Sequence, residues 1–114
     1  MARGGGFAGM PGGGGNMQQL MRQAQKMQQQ MEKLQEELNE REYAASSGGG
    51  MVSVKVSGKR ELKEILIKPE AVDPDDVEML QDLITAAVNE ALRLGETTRE
   101  TELGKLSGGL GGMF

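Results

Sequence analysis

The stretch NMQQLMRQAQKMQQQMEKLQEELNER, residues 16–41, decides how the rest of the chain is read. Asn16 is a good N-cap, Gln19 follows three residues later as in a capping box, and strong helix formers continue to about Arg41. Met17, Leu20, Ala24, Met27, Met31, Leu34 and Leu38 alternate by three and four along that helix, the spacing of a coiled-coil seam. Burying them is worth on the order of 10 kcal/mol, comparable to the net stability of a whole small domain. The helix is therefore expected to pack against a partner.

Outward from the helix, Gly48-Gly49-Gly50 suits a turn, and Glu42–Ser47 before it is compatible with a short edge strand. Val52, Val54 and Val56 alternate with Ser53, Lys55 and Ser57, the period-two signature of a half-buried strand. A second strand is expected over about 61–68, with Ile65 and Ile67 on one face and Leu62 and Leu66 on the other. Such a two-faced strand asks for helices on one side and another subunit on the other. Leu62 and Leu66 therefore join the seam residues as candidates for dimer or helix packing. Asp73-Pro74-Asp75-Asp76 reads as N-cap, Pro at N1 and acids in the first turn of a second helix. That helix carries Val77, Leu80, Leu83, Ile84, Ala87, Val88, Ala91 and Leu92 as a broad apolar stripe suited to a sheet. Gly95 is a plausible stop, after which residues 97–106 form a further helix or extend the second. The expected class is α/β (α+β): a long N-terminal helix, a small antiparallel hairpin or three-stranded meander, then one or two C-terminal helices. Residues 1–15 read as a disordered Gly-rich leader, 16–106 as one dimerising domain, and 107–114 as a flexible Gly-rich tail.

Composition narrows function. The 114 residues include no Cys and no His, which removes the common transition-metal ligands and the side chain best suited to proton exchange near neutral pH. Neither an enzyme nor a cofactor is expected. Gly4–Gly9 matches a dinucleotide fingerprint formally, but no strand precedes it, so low complexity explains it. Gly58-Lys59 lacks the Ser or Thr and the upstream Gly of a P-loop, and Asp73, Asp75 and Asp76 suit helix capping better than calcium. No apolar run is long enough for a membrane span, and a cytoplasmic location is expected. Aromatics are only 3%, so the stacking platforms of common RNA modules are missing.

The net charge is −4 but unevenly spread: residues 1–68 hold ten Lys/Arg against seven Asp/Glu, and 69–114 hold three against ten. Residues 1–30 contain three cations and no acid. On the first helix Arg22, Lys26, Gln29 and Lys33 share a stripe opposite the seam, flanked by Gln18, Gln19, Gln25, Gln28 and Gln30. Cations and amides on a solvent-facing stripe suit a phosphate backbone. A solvated coiled-coil surface or a partner helix draws on the same residue types. Glu32, Glu36, Glu37, Glu40 and Glu42 all fall in the second half, leaving a positive tip that favours the polyanion, because a mere solubility device mixes both signs.

The helix Met17–Gln28, the segment GGGMVSVKVSG at 48–58, Ile67-Lys68-Pro69-Glu70, LQDLITAAVNEA at 80–91 and GKLSGGL at 104–110 stand in a specific order. In that order and spacing the chain resembles the YbaB/EbfC family of bacterial nucleoid-associated proteins, from about Asn16 onward. The resemblance implies a tweezers-like α/β homodimer whose sheets meet centrally while the first helices project as arms. It also implies binding of double-stranded DNA in the nucleoid, without membrane or small-molecule substrate. The DNA-binding role transfers onto Arg22, Lys26 and Lys33, with Arg99 and Lys105 on the C-terminal helix as further candidates. The glycine-rich leader departs from the family pattern. A rival reading from the residues alone is a coiled-coil interaction or chaperone-like module that holds a protein client.

Overall fold

The computed structural model describes residues 11–111, with side chains described for 16–108. Its elements are α1 (Pro11–Glu40), β1 (Glu42–Ser47), β2 (Val52–Ser57), β3 (Leu62–Ile67), one 3-10 turn (Pro69–Ala71) and α2 (Val77–Gly111). The chain divides into two compact units, residues 1–33 and 34–114. The described part of the first is helix. The second holds the sheet, α2 and the last turns of α1.

The strands form a meander, β1-β2-β3, antiparallel throughout. The segment Glu42–Ser47 is thus a strand in full, and the three-stranded alternative holds over the hairpin. Gly48, Gly49 and Gly50 all adopt positive φ (59°, 66° and 93°), which is why three glycines in succession make this connection. At the next turn Ser57 is buried and its Oγ accepts the N–H groups of Lys59 (3.2 Å) and Glu61 (3.3 Å). Arg60 takes φ 66° there, uncommon for a residue with a side chain.

The core is a sandwich of one sheet face and α2. Val52, Val54, Val56 and Tyr43 from the sheet meet Ala87 and Ala91 of α2, both fully buried, with Leu80, Leu83, Ile84, Val88 and Leu92 at its margin. Two alanines one turn apart let the helix backbone approach the pleat closely. Gly95, expected to stop the helix, lies inside it: a Cβ there would stand 3.1 Å from the Tyr43 ring, so the missing side chain makes room for the tyrosine. Residues 97–106 accordingly continue α2, which runs to Gly111. Ser107–Gly111, read as tail, is helical, and Gly112–Phe114 lie outside the described residues.

The buried hydroxyl of Tyr43 has no hydrogen-bond partner among the described residues. An unsatisfied buried donor is costly, so Tyr43→Phe is expected to leave stability unchanged or to raise it by about 1 kcal/mol. Thermal melts would check this. A lower Tm for the variant would mean that the hydroxyl has a partner in solution.

Three further boundaries differ from the sequence reading. α1 begins at Pro11 rather than at the Asn16 cap; Pro is suited to a first helical turn, although the glycines behind it are poor helix formers. The cap of α2 is Asp76, whose Oδ1 accepts the Met79 N–H at 3.1 Å, while Asp73 Oδ1 accepts from Asp75 in a separate turn. The proline therefore sits in that turn, one step before the helix. Finally, Leu62 and Leu66 do not share a face. Val52 pairs with Ile67, Val54 with Ile65 and Val56 with Leu62, with a register shift at Lys55/Val56 that leaves Lys63 as the extra residue. This bulge turns Leu62 onto the face of the buried valines, whereas Leu66 opposite Ser53 stays on the other.

Candidate nucleic-acid interface

In the first unit, Arg22, Lys26, Gln29 and Lys33 recur at spacings of four, three and four along one helix, so they share a face. All four are exposed. Eleven residues of helix span about 16 Å, a length over which one strand of duplex DNA presents about five phosphate charges. Gln19, Arg22, Gln23 and Lys26 line a shallow open depression at the N-terminal end of this surface. Among the described residues, the ion pairs engage Arg41, Lys55, Arg60, Lys63 and Arg93, and none takes a cation of the stripe. The sequence explains this: Arg22 and Lys26 have no acid three or four residues away, whereas Lys33 has Glu36 and Glu37 at those spacings. Lys33 is the most compensated of the three.

The seam on the opposite side is graded in the single chain. Met17 and Leu20 are 61% and 59% exposed and Ala24 is exposed; Met27, Met31 and Leu34 are half-buried; Leu38 is completely buried. Met21, off the seam, is also exposed.

In the second unit the two C-terminal candidates part company. Lys105 is exposed on α2. Arg99 is half-buried, and its Nη2 donates to Asn39 Oδ1 and, at 3.4 Å, to the carbonyl of Gly58. Part of its guanidinium is thus committed within the fold. Arg93 lies exposed on the same helix but donates to Glu90, and that hydrogen bond holds the Glu90 carboxyl below the usual carboxylate range. Among the described residues no Lys or Arg forms an ion pair with the acids near the start of α2, from Glu70 through Asp82, and uncompensated negative charge is unattractive to phosphate.

β3 shows what sequence reasoning missed. It is an edge strand, and α2 packs over β1 and β2. Leu62, Ile65 and Ile67, aligned by the bulge on the helix-side face, remain 47%, 38% and 38% exposed, and Leu66 is 58% exposed behind them. No residue type announces a bulge, so alternation counted along the strand put Leu62 on the wrong face. Among the described residues no group of His, Cys, Asp or Glu is gathered to hold a metal ion, and no helix is long and apolar enough to cross a membrane.

Comparison with known proteins agrees with this architecture. The chain is 60% identical, with both chains covered completely, to a nucleoid-associated protein of Clostridium botulinum (strain Eklund 17B / Type B). It is 58% identical to a nucleoid-associated protein of Acetivibrio thermocellus over 99% of this chain and 96% of that one. The crystal structure of an uncharacterized protein from Helicobacter pylori matches with a TM-score of 0.63 and 26% identity, covering 76% of this chain and 91% of the other. The YbaB/EbfC DNA-binding family model matches residues 13–110. With nearly its full length in that match, the chain belongs to the YbaB/EbfC DNA-binding family.

Proposed function

We propose that this chain is a nucleoid-associated protein that binds duplex DNA as a homodimer, mainly through phosphate contacts, and organises the nucleoid or regulates genes without performing a reaction. The observation that carries the reading is the exposed stripe of Arg22, Lys26, Gln29 and Lys33, on a chain whose first thirty residues contain no acid. Phosphate contacts need cations free of internal partners, and they confer little sequence preference. Lys105, exposed on α2 and outside the ion pairs of the described residues, would add to them. A location with the nucleoid in the bacterial cytoplasm is part of this reading, supported by the relatives' being nucleoid-associated proteins.

Dimerisation is supported by the apolar row on β3. Leu62, Ile65 and Ile67 leave an unpaired strand edge with a hydrophobic face, a surface that folded chains usually cover. A second copy of the same edge supplies complementary apolar area.

Three cations on each of two copies give about six phosphate contacts, so log K should fall with log salt at a slope of about −5. A mobility-shift titration at several salt concentrations checks the slope, and sedimentation checks the dimer, which Ile65→Glu is expected to split. A slope near zero would sink the phosphate reading. The exposure of Met17, Leu20 and Met21 favours one alternative, an interaction module that holds a protein client. That alternative expects no duplex binding at any salt.

A further inference from the structure

We infer that Arg99 is a positioning residue that fixes the last turn of α1, and that it is not a phosphate ligand; this rests on the DNA-binding reading above. Three segments of the second unit converge on it: the end of α1 at Leu38–Arg41, the β2–β3 turn at Gly58–Arg60, and α2 at Glu96–Glu102. Arg99 reaches both of the others, donating to Asn39 Oδ1 and to the Gly58 carbonyl. Ion pairs stand on either side of it, Arg60 with Glu96 at 3.8 Å and Arg41 with Glu102 at 3.9 Å. The turn is in turn tied to α1, since the Gly58 N–H donates to the Arg41 carbonyl at 3.0 Å. The flanking pairs are long and open to solvent, that of Arg60 with Glu96 the more exposed, so they are weak and easily screened. The half-buried bond from a charged donor is the strong member of the set.

The consequence for DNA follows from the continuity of α1. Asn39 stands in the same helix as Arg22, Lys26 and Lys33, and the inferred role is that the seating of its last turn matters to the residues proposed to meet phosphate. Arg99 thereby serves binding from a place where it does not touch the ligand. Both bonds leave from the one Nη2 nitrogen, which serves a side-chain amide and a backbone carbonyl together.

The test is a double-mutant cycle on duplex affinity, using Arg99→Ala, Asn39→Ala and both together in the full chain, at a temperature where circular dichroism shows each variant folded. Each single change is expected to weaken binding roughly tenfold, with the double variant no weaker than the worse single one, as for residues acting as a unit. The salt slope should stay at the wild-type value. Were Arg99 a phosphate ligand, Asn39→Ala would bind like wild type, and Arg99→Ala would flatten the slope by about 0.9 per copy. Wild-type affinity in both variants would reduce the contact to a stabilising one and overturn the proposal. Because the chain has no native cysteine, spin labels at Glu36→Cys and Thr97→Cys, both exposed and both in the second unit, give a readout independent of DNA. Their distance distribution should broaden in both variants, and an unchanged distribution also overturns the proposal. If wild type itself fails to bind duplex, the proposed function falls, while the spin labels still report on the positioning.

Discussion

Reversing the stripe with Arg22→Glu, Lys26→Glu and Lys33→Glu in one chain is expected to lower duplex affinity by about a thousandfold or more. Six phosphate contacts change affinity by roughly that factor between about 50 and 200 mM salt alone, and removing all six while adding like charge should cost at least as much. The three side chains are exposed and outside the ion pairs of the described residues, so the fold has little to lose by the change. The far-ultraviolet spectrum and Tm should stay close to wild type, apart from a few tenths of a kcal/mol of like-charge repulsion along the helix. The contributions are also expected to be unequal. Lys33 has Glu36 and Glu37 within one turn, so Lys33→Glu alone should weaken binding least, while Arg22→Glu and Lys26→Glu each remove a cation with no acid at that spacing. Mobility-shift titrations of the single and triple variants check both statements. Undiminished affinity in the folded triple variant would remove the stripe from the interface altogether.

Among the described glycines, Gly58→Ala should have the largest effect on stability. A Cβ at that position would lie 1.8 Å from the Leu38 carbonyl oxygen, 2.7 Å from its carbon and 2.8 Å from Asn39 Cα. These are backbone atoms at the end of α1, beside the completely buried Leu38, so no flexible side chain can swing away. Relief requires moving the helix end off the β2–β3 turn, at the expense of the hydrogen bond from the Gly58 N–H to Arg41 and of the Arg99 contact. We expect a loss of about 3 kcal/mol or more, which at about 4–8 °C per kcal/mol lowers the Tm of a domain this size by more than about 12 °C. Gly104→Ala is the control: no heavy atom lies within 4 Å of a Cβ there, and the residue is inside α2. Alanine is the better helix former by up to about 1 kcal/mol, so that variant should be slightly more stable than wild type. Equal melting temperatures for the two variants would contradict the packing described around Gly58.

Local patterning made much of the architecture readable beforehand. The two helices, the valine-alternating strand and the glycine turn each follow from signals confined to a few neighbouring residues. The basic stripe was equally legible, because helical spacing places Arg22, Lys26 and Lys33 together whatever else the chain does. Elements with weak local signals were read less well: Glu42–Ser47 was ambiguous because Ala and Ser favour no state strongly, and β1 exists because β2 offers it a ladder.

The amino-acid sequence by itself determined the two helices, the valine strand, the glycine turn, the charge asymmetry and the separation of the cations from the seam, since all of these rest on periodicity and composition. Tertiary structure alone decided the rest. The Tyr43 ring takes the space a side chain at Gly95 would need, Leu62 changes face because of a one-residue bulge, and Arg99 is drawn to Asn39 and Gly58, sixty and forty-one residues away. Each depends on partners distant along the chain, whose approach is set by the packing of whole elements against one another, and no window of neighbouring residues contains that information.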